Sequence, residues 1–390
     1  MRFDKVIYFR YIPLTKKVYD DFYMKQVREL GIEVEYWDFS SLFFEYYPGE
    51  EDMSFLMKVV WFKSYNEIEQ ALRKECGAKT LFVSLVTCNG FVTNLFYLFT
   101  KYNCILAVFA RNVLPSIQSK NSFLHRVKSL STLNKQRIKN YLQDRNLQQL
   151  KKKGKIKGYD VIFLAGKEGF GAIGCLSQNE LNTAKIIGVN SDDYDKCLQL
   201  KKYERLIESD YILFLDQYLP LHPDLKLLNL KSVDATRYYT QLNAFFDRVE
   251  KQYSLPVVIA SHPKSVEYYK KDFFQGRRLF KGKSMELSRD ASFVLAHNST
   301  SVNLPVSFGV RLHFITSHDI EKKMNYIHQY TLMFAKSLDC HWQYFDEGEP
   351  VDVVQHVSRA AYDQYKWNFL TSTETQNKIT EQIFIEFLKY

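Results

Sequence analysis

The stretch TLFVSLVTCNGFVTNLFYLFTKYNCILAVFA, Thr80 to Ala110, decides the fold class. It is long and apolar, and Lys101 is its single charge. Its length would suffice to cross a bilayer. Two breaks argue against that, Asn89-Gly90 and Tyr102-Asn103, both turn-forming pairs. They divide the stretch into a strand (Leu81 to Val86), a helix (Phe91 to Thr100) and a second strand (Cys104 to Phe109). Strands covered by helices on both faces read as unbroken apolar runs. The stretch therefore reads as a buried β-α-β unit rather than a membrane helix.

Working outward, the same alternation continues. Lys5 to Phe9 reads as a strand, Lys16 to Leu30 as a helix and Glu33 to Phe39 as a strand. Asn66 to Gly77 has an Asn N-cap and a Gly stop, the marks of a helix. Strands are expected at Tyr159 to Gly166 and Ala184 to Asn190. The second half repeats the theme. Strands are expected at Tyr211 to Gln217, Leu255 to Ser261, Ser292 to Thr300 and Val310 to Thr316. Helices are expected at Val233 to Tyr253 and Ser265 to Phe274, with a linker at Asp192 to Glu208. Alternation of this kind predicts parallel sheets with helices on both faces. A chain of 390 residues has room for two such domains. The boundaries expected are 1–200, 201–355 and a helical tail at 356–390 that can return to the first domain.

Composition excludes other classes. At 46% hydrophobic and 25% charged residues, the chain carries ample core and is not a disordered protein. The N-terminus opens directly into a strand and lacks the pattern of a signal peptide. The six cysteines are scattered without a C-x-x-C pair, so neither a disulfide framework nor a zinc site is expected, and a reducing cytoplasm is the default.

The net charge of +9 is concentrated. Arg111 to Lys157 holds thirteen Lys or Arg against one acid, Asp144, a surplus larger than the whole chain's. Within it, Phe123, Val127, Leu130 and Leu133 recur at helical spacing, followed by Ile138, Tyr141 and Leu142. A basic amphipathic segment suits an anionic surface such as membrane lipid, a phosphorylated acceptor or nucleic acid. A solvated helix packing one face on its own domain accounts for it equally well.

Ligands of open parallel sheets bind outside the carboxyl ends of the strands. Two motifs lie there. LPVVIASHPKS (Leu255 to Ser265) ends a strand on His262-Pro263-Lys264. Proline fixes that turn, so the imidazole leaves the strand end in a preset direction, able to donate to a phosphate oxygen. FVLAHNSTS ends a second strand on His297, Asn298, Ser299, Thr300 and Ser301. Free N–H groups at a helix start, flanked by hydroxyls, can hold an anion. Taken singly, each motif is also an ordinary cap; together they predict a nucleotide-phosphate site. Asp192 to Asp195 contains a D-x-D that could hold a divalent metal, although acidic linker residues are usually just solvated. No Ser-His-Asp or H-E-x-x-H pattern is present.

The order ILFLDQYLP, long helix, VVIASHPKS, FVLAHNSTS resembles the C-terminal half of bacterial sialyltransferases and related Kdo and polysialic acid transferases of capsule and lipopolysaccharide assembly. The resemblance implies a GT-B fold, two Rossmann-like domains facing a cleft. It implies an inverting glycosyltransferase that takes a nonulosonic acid from a CMP donor to a surface glycan. The donor would lie on residues 201–355, held by His262, Pro263, Lys264 and His297 to Ser301, with His262 as acid. The acceptor would bind residues 1–200, near the basic segment at about 111–157. No cofactor or metal is expected, nucleic acid is not an expected partner, and peripheral contact with the inner membrane face is. The family's acidic-acidic-Gly base motif is met only by Lys167-Glu168-Gly169, so Glu168 is the expected base, with Asp193, Asp216 and Asp346 as other candidates. The same fold with a UDP- or GDP-sugar donor, and a non-catalytic binding protein, remain as alternatives.

Overall fold

The structure, a computed structural model, describes residues 3–44, 55–77, 79–115, 135–174, 176–200, 205–227 and 230–389. The chain forms two compact units. The first takes the described residues of Met1–Val113, Ser119–Asp192 and Thr371–Tyr390, the second those of Leu114–Gln118 and Asp193–Leu370.

The first unit is built on seven parallel strands: β1 (Lys5–Arg10), β2 (Glu33–Asp38), β3 (Lys58–Trp61), β4 (Thr80–Ser84), β5 (Ile105–Ala110), β6 (Val161–Ala165) and β7 (Lys185–Val189), in the order β3-β2-β1-β4-β5-β6-β7. Side chains alternate across this sheet. Ile7 and Phe9 enter one core with Phe82, Phe96 and Ile162, while Val6 and Tyr8 enter the other with Leu81, Val83 and Phe163. The tail helix Thr380–Lys389 covers the second face through Ile383, Phe384 and Leu388.

The second unit has six parallel strands: β8 (Ile212–Leu215), β9 (Val257–Ser261), β10 (Leu279–Lys281), β11 (Phe293–Ala296), β12 (Leu312–Thr316) and β13 (Trp342–Tyr344), in the order β10-β9-β8-β11-β12-β13. The long helix Ala235–Tyr253 starts on an Asp234 cap and packs Leu242, Phe245, Phe246 and Val249 on one face of this sheet. Burying each such side chain contributes roughly 1.5–3 kcal/mol.

The Thr80 to Ala110 stretch is the β-α-β unit its breaks imply: β4, a helix at Thr93–Lys101, then β5. Gly90 is required there. A Cβ at this position would lie 2.5 Å from the backbone N of Asp144, because the helix Lys135–Lys152 crosses it closely and Asp144 Oδ1 accepts from Gly90 N. Among the described residues no helix is long and apolar enough to cross a membrane.

Several expectations are corrected. The helix expected over Lys16 to Leu30 is two helices, Lys16–Asp21 and Met24–Glu29, because Tyr23 is left-handed with φ 58°. The helix after β3 is capped by Ser64, not Asn66: the Ser64 hydroxyl accepts from Glu67 N. The expected linker from Asp192 begins as a helix, Asp192–Gln199. Ser265 to Phe274 holds only a 3-10 turn, Val266–Tyr269. The cysteines are not all unpaired: Cys76, past the end of one helix, is disulfide-bonded to Cys104, which precedes β5. Phe123, Val127, Leu130 and Leu133 lie outside the described residues.

Candidate functional site

In each sheet the chain first runs outward and then returns to the other side of its first strand. The switch falls between β1 and β4 in the first unit, and between β8 and β11 in the second. Such switch points open a crevice at the strand ends. In the second unit, a cavity of about 540 Å³ lies there. Its polar side is formed by Gln217 after β8, His262-Pro263 after β9 and Asn298 to Ser301 after β11. Leu225, Leu230, Met324, Tyr326 and Ile327 form an apolar side. The two motifs at strand ends therefore meet in one place, since β8 separates β9 from β11 and all three strands run in parallel.

His262 is set by its turn. Its Nδ1 accepts from Lys264 N at 3.2 Å, which leaves Nε2 as the N–H donor of the neutral ring. Its own backbone N donates to Asp216 Oδ2 at 3.3 Å. Burial lowers the His262 pKa below the usual histidine value, and the neighbouring His222 and Lys264 add to this against a smaller opposing pull from Asp224. These effects favour the neutral ring.

A second histidine stands beside it. His222-Pro223 repeats the His262-Pro263 pair: His222 Nδ1 accepts from Asp224 N at 3.2 Å, again leaving Nε2–H. The two imidazoles meet edge to face with centroids 4.8 Å apart. Lys264 and Asp224, each two residues beyond its histidine, form an ion pair at 2.9 Å that ties the turns together. His222 also lines the cavity, and burial lowers its pKa too, favouring the neutral ring. The sequence reading missed it. The signal was the second His-Pro pair, at Leu221 to Asp224.

The Ser/Thr turn differs from the expected helix start. Ser299 caps a 3-10 turn, Thr300–Val302, its hydroxyl accepting from Ser301 N at 3.1 Å. The Val302 N–H is taken by the Ser299 carbonyl. Few backbone N–H groups are therefore open, and Thr300 and Ser301 line the cavity. Asn298 N donates to Gln217 Oε1, while Asn298 Oδ1 is buried without a hydrogen-bond partner. An unsatisfied buried acceptor beside a cavity asks for a donor from within it.

His297 does not reach the cavity. It is fully buried; Nε2 is 2.8 Å from the Tyr238 hydroxyl and Nδ1 2.6 Å from the Ile315 carbonyl. Burial drives its pKa down to about 4. It joins β11 to the long helix and to β12, a role in the core. Lys264 is half exposed and occupied by Asp224.

The candidate carboxylates are dispersed. Asp216 is buried just past β8; it accepts from Tyr218 N at 2.9 Å and from the Tyr268 hydroxyl at 3.0 Å, as well as from His262 N. Burial raises its pKa to about 6, against these hydrogen bonds. It supports the His262 turn from below and does not line the cavity. Asp193 accepts from Asn303, and Asp346 accepts from His318 N. Glu168 is exposed on a 3-10 turn, Lys167–Ile173, after β6 of the first unit. The carboxylate that lines the cavity of the second unit is Asp224. Among the described residues no cluster of three His, Cys, Asp or Glu could hold a metal, and in the D-x-D, Asp193 is bonded to Asn303 while Asp195 is buried.

Each of the two units is a doubly wound parallel α/β sheet, and the second carries a cavity with polar and apolar lining at its switch point. Among solved structures the chain is similar to the calicheamicin glycosyltransferase CalG4, at 12% identity and TM-score 0.49, covering 100% of this chain and 98% of that one. It is also similar to MurG of Acinetobacter baumannii, at 8% identity and TM-score 0.40 over 99% and 95% of the two chains. The UDP-GlcNAc 2-epimerase of Methanocaldococcus jannaschii is similar at 11% identity and TM-score 0.43, over 92% and 97%. No family model matches the sequence, and no curated protein matches it.

Proposed function

We propose that the chain is a glycosyltransferase whose nucleotide-sugar donor binds the second unit's cavity, with a nucleoside diphosphate as its leaving group. The observation that carries this is the meeting of His222, His262 and the Thr300 and Ser301 hydroxyls with the apolar Leu225, Leu230 and Tyr326 in one cavity. A nucleotide has the same two-sided character, a flat base and an anionic phosphate end. Two Nε2–H donors and the Thr300 and Ser301 side chains can engage one phosphate or two. The donor proposed is a UDP- or GDP-sugar in place of the CMP-nonulosonic acid implied by the sequence resemblance, and comparison of the nucleotides tests that choice. In this reading the imidazoles stabilise charge building on the leaving diphosphate, where preorganised donors lower a barrier most. Asn298 Oδ1 accepts from a sugar or ribose hydroxyl.

Thermal unfolding with UDP, GDP and CMP tests this. A ligand at 100 times its Kd stabilises by about 2.7 kcal/mol. UDP or GDP should raise the melting temperature by several degrees and CMP by less. Protection by CMP alone would return the donor to the CMP class, and no protection by any of the three would end the nucleotide reading.

The helix Lys135–Lys152 supports contact with an anionic membrane. One face carries Leu147, buried, and Lys151, paired with Glu180 at 2.9 Å. The opposite face leaves Ile138, Tyr141 and Leu142 exposed, flanked in sequence by Lys139 and Arg145. Apolar residues bordered by cations suit the headgroup boundary of an anionic bilayer. Sedimentation with vesicles containing phosphatidylserine should pull the protein down, and less so after Ile138→Ser and Leu142→Ser. Equal sedimentation with neutral vesicles, or no effect of the changes, would contradict it.

A further inference from the structure

The first unit has a cavity of its own, about 450 Å³, at the switch point between β1 and β4. Its walls come from the carboxyl ends of β1, β4 and β5 and from the helix Lys16–Asp21. Three cations line it, and two are compensated. Lys17 pairs with Asp21. Arg111, almost fully buried against Phe22 and Phe109, pairs with Asp192 at 2.9 Å. Arg10 is different. It is the last residue of β1 and partly buried, and among the described residues its guanidinium has no ion pair or hydrogen bond. The lining thus carries two ion pairs and one cation that makes none, with the buried Asp38 as its ladder neighbour on β2.

A partly desolvated arginine without a partner is costly unless a ligand supplies the anion. Its planar fork matches a carboxylate with two parallel hydrogen bonds. A carboxylate brings one negative charge and two coplanar oxygens to that fork. We infer that this cavity binds a carboxylate-bearing sugar, held by Arg10, as the acceptor of the reaction. The words sugar and acceptor rest on the glycosyl-transfer reading; the carboxylate site itself rests on the cavity and on Arg10.

Calorimetric titration of the full chain with methyl β-glucuronide and methyl β-glucoside separates the two. The uronide should bind the wild type at least tenfold more tightly than the neutral glycoside. Arg10→Gln should remove that preference, Arg10→Lys should keep part of it, and Lys17→Gln should leave it intact. Equal binding of both glycosides, no binding of the uronide, or full preference in Arg10→Gln would overturn the inference. If Arg10→Gln fails to fold, Arg10→Lys decides: a preference undiminished by the loss of the fork overturns it. Uronide binding in a protein that no nucleotide protects would leave this site standing while the glycosyl-transfer reading fell.

Discussion

Replacing His262 by alanine is expected to weaken binding of UDP by about 10- to 100-fold, with little loss of fold stability. A hydrogen bond to a charged group contributes about 1.5–3 kcal/mol, which sets that range. The ring is held by one backbone hydrogen bond at Nδ1 and is only partly buried, so its removal leaves a space open to water rather than a sealed void. His222→Ala should cost a similar factor. The double variant should cost less than the product of the two, because the imidazoles touch each other and, in the proposed complex, would face the same phosphates. Isothermal titration of the three variants checks this. A His262→Ala protein that binds UDP as tightly as the wild type removes the phosphate assignment.

The second large effect is expected at Asp216. Its two oxygens accept from three buried or half-buried donors: Tyr218 N, His262 N and the Tyr268 hydroxyl, the last of which also meets Tyr239 at 2.8 Å. Asp216→Ala strands all three and should destabilise the second unit by about 3–5 kcal/mol, at 1–3 kcal/mol for each unsatisfied group with some relaxation. It should also free the His262 turn and so reduce UDP affinity. The pH dependence has a definite sign. The folded-state pKa is raised to about 6, above the ordinary value of 3.8. The folded protein therefore binds this proton more tightly than the unfolded chain, and the stability linked to Asp216 falls as pH rises from about 4 to about 6. Asp216→Asn does not titrate, so the wild type should gain stability relative to it on acidification through that window. Urea unfolding of both proteins at pH 4.5 and 7 measures the difference. A difference that stays constant, or that moves in the wild type's favour toward neutral pH, would contradict the account.

The sheet frame was legible because its central strands are buried on both faces. The runs Leu81 to Ser84, Ile105 to Ala110 and Val257 to Ser261 are nearly all apolar, and turn residues bound them. The edge strands β3, β10 and β13 were not legible. They are three or four residues long and partly exposed, so neither length nor periodicity marks them. The site was half legible. His262 and the Ser299 to Ser301 turn each end a recognisable strand. His222 ends none; it sits in the irregular connection after β8. Its place beside His262 depends on the register that aligns Leu215 with Ala260 and brings the two strand ends level. His297 misled for the opposite reason: it follows a strand directly, but its ring turns into the core to meet Tyr238. Residue type alone offers Asp216, Asp193 and Asp346 as bases; hydrogen bonding gives each a structural partner instead.

The central claim is that a nucleotide phosphate meets both imidazoles through Nε2. Nitrogen-15 spectra of the histidine side chains, recorded while UDP is added at pH 7, test it most directly. His222 and His262, assigned through their alanine variants, should start as neutral Nε2–H tautomers, and both should shift with saturating behaviour. The buried His297 should not move. Shifts confined to His297 or to other histidines, with His222 and His262 unchanged at saturating UDP, would contradict the account.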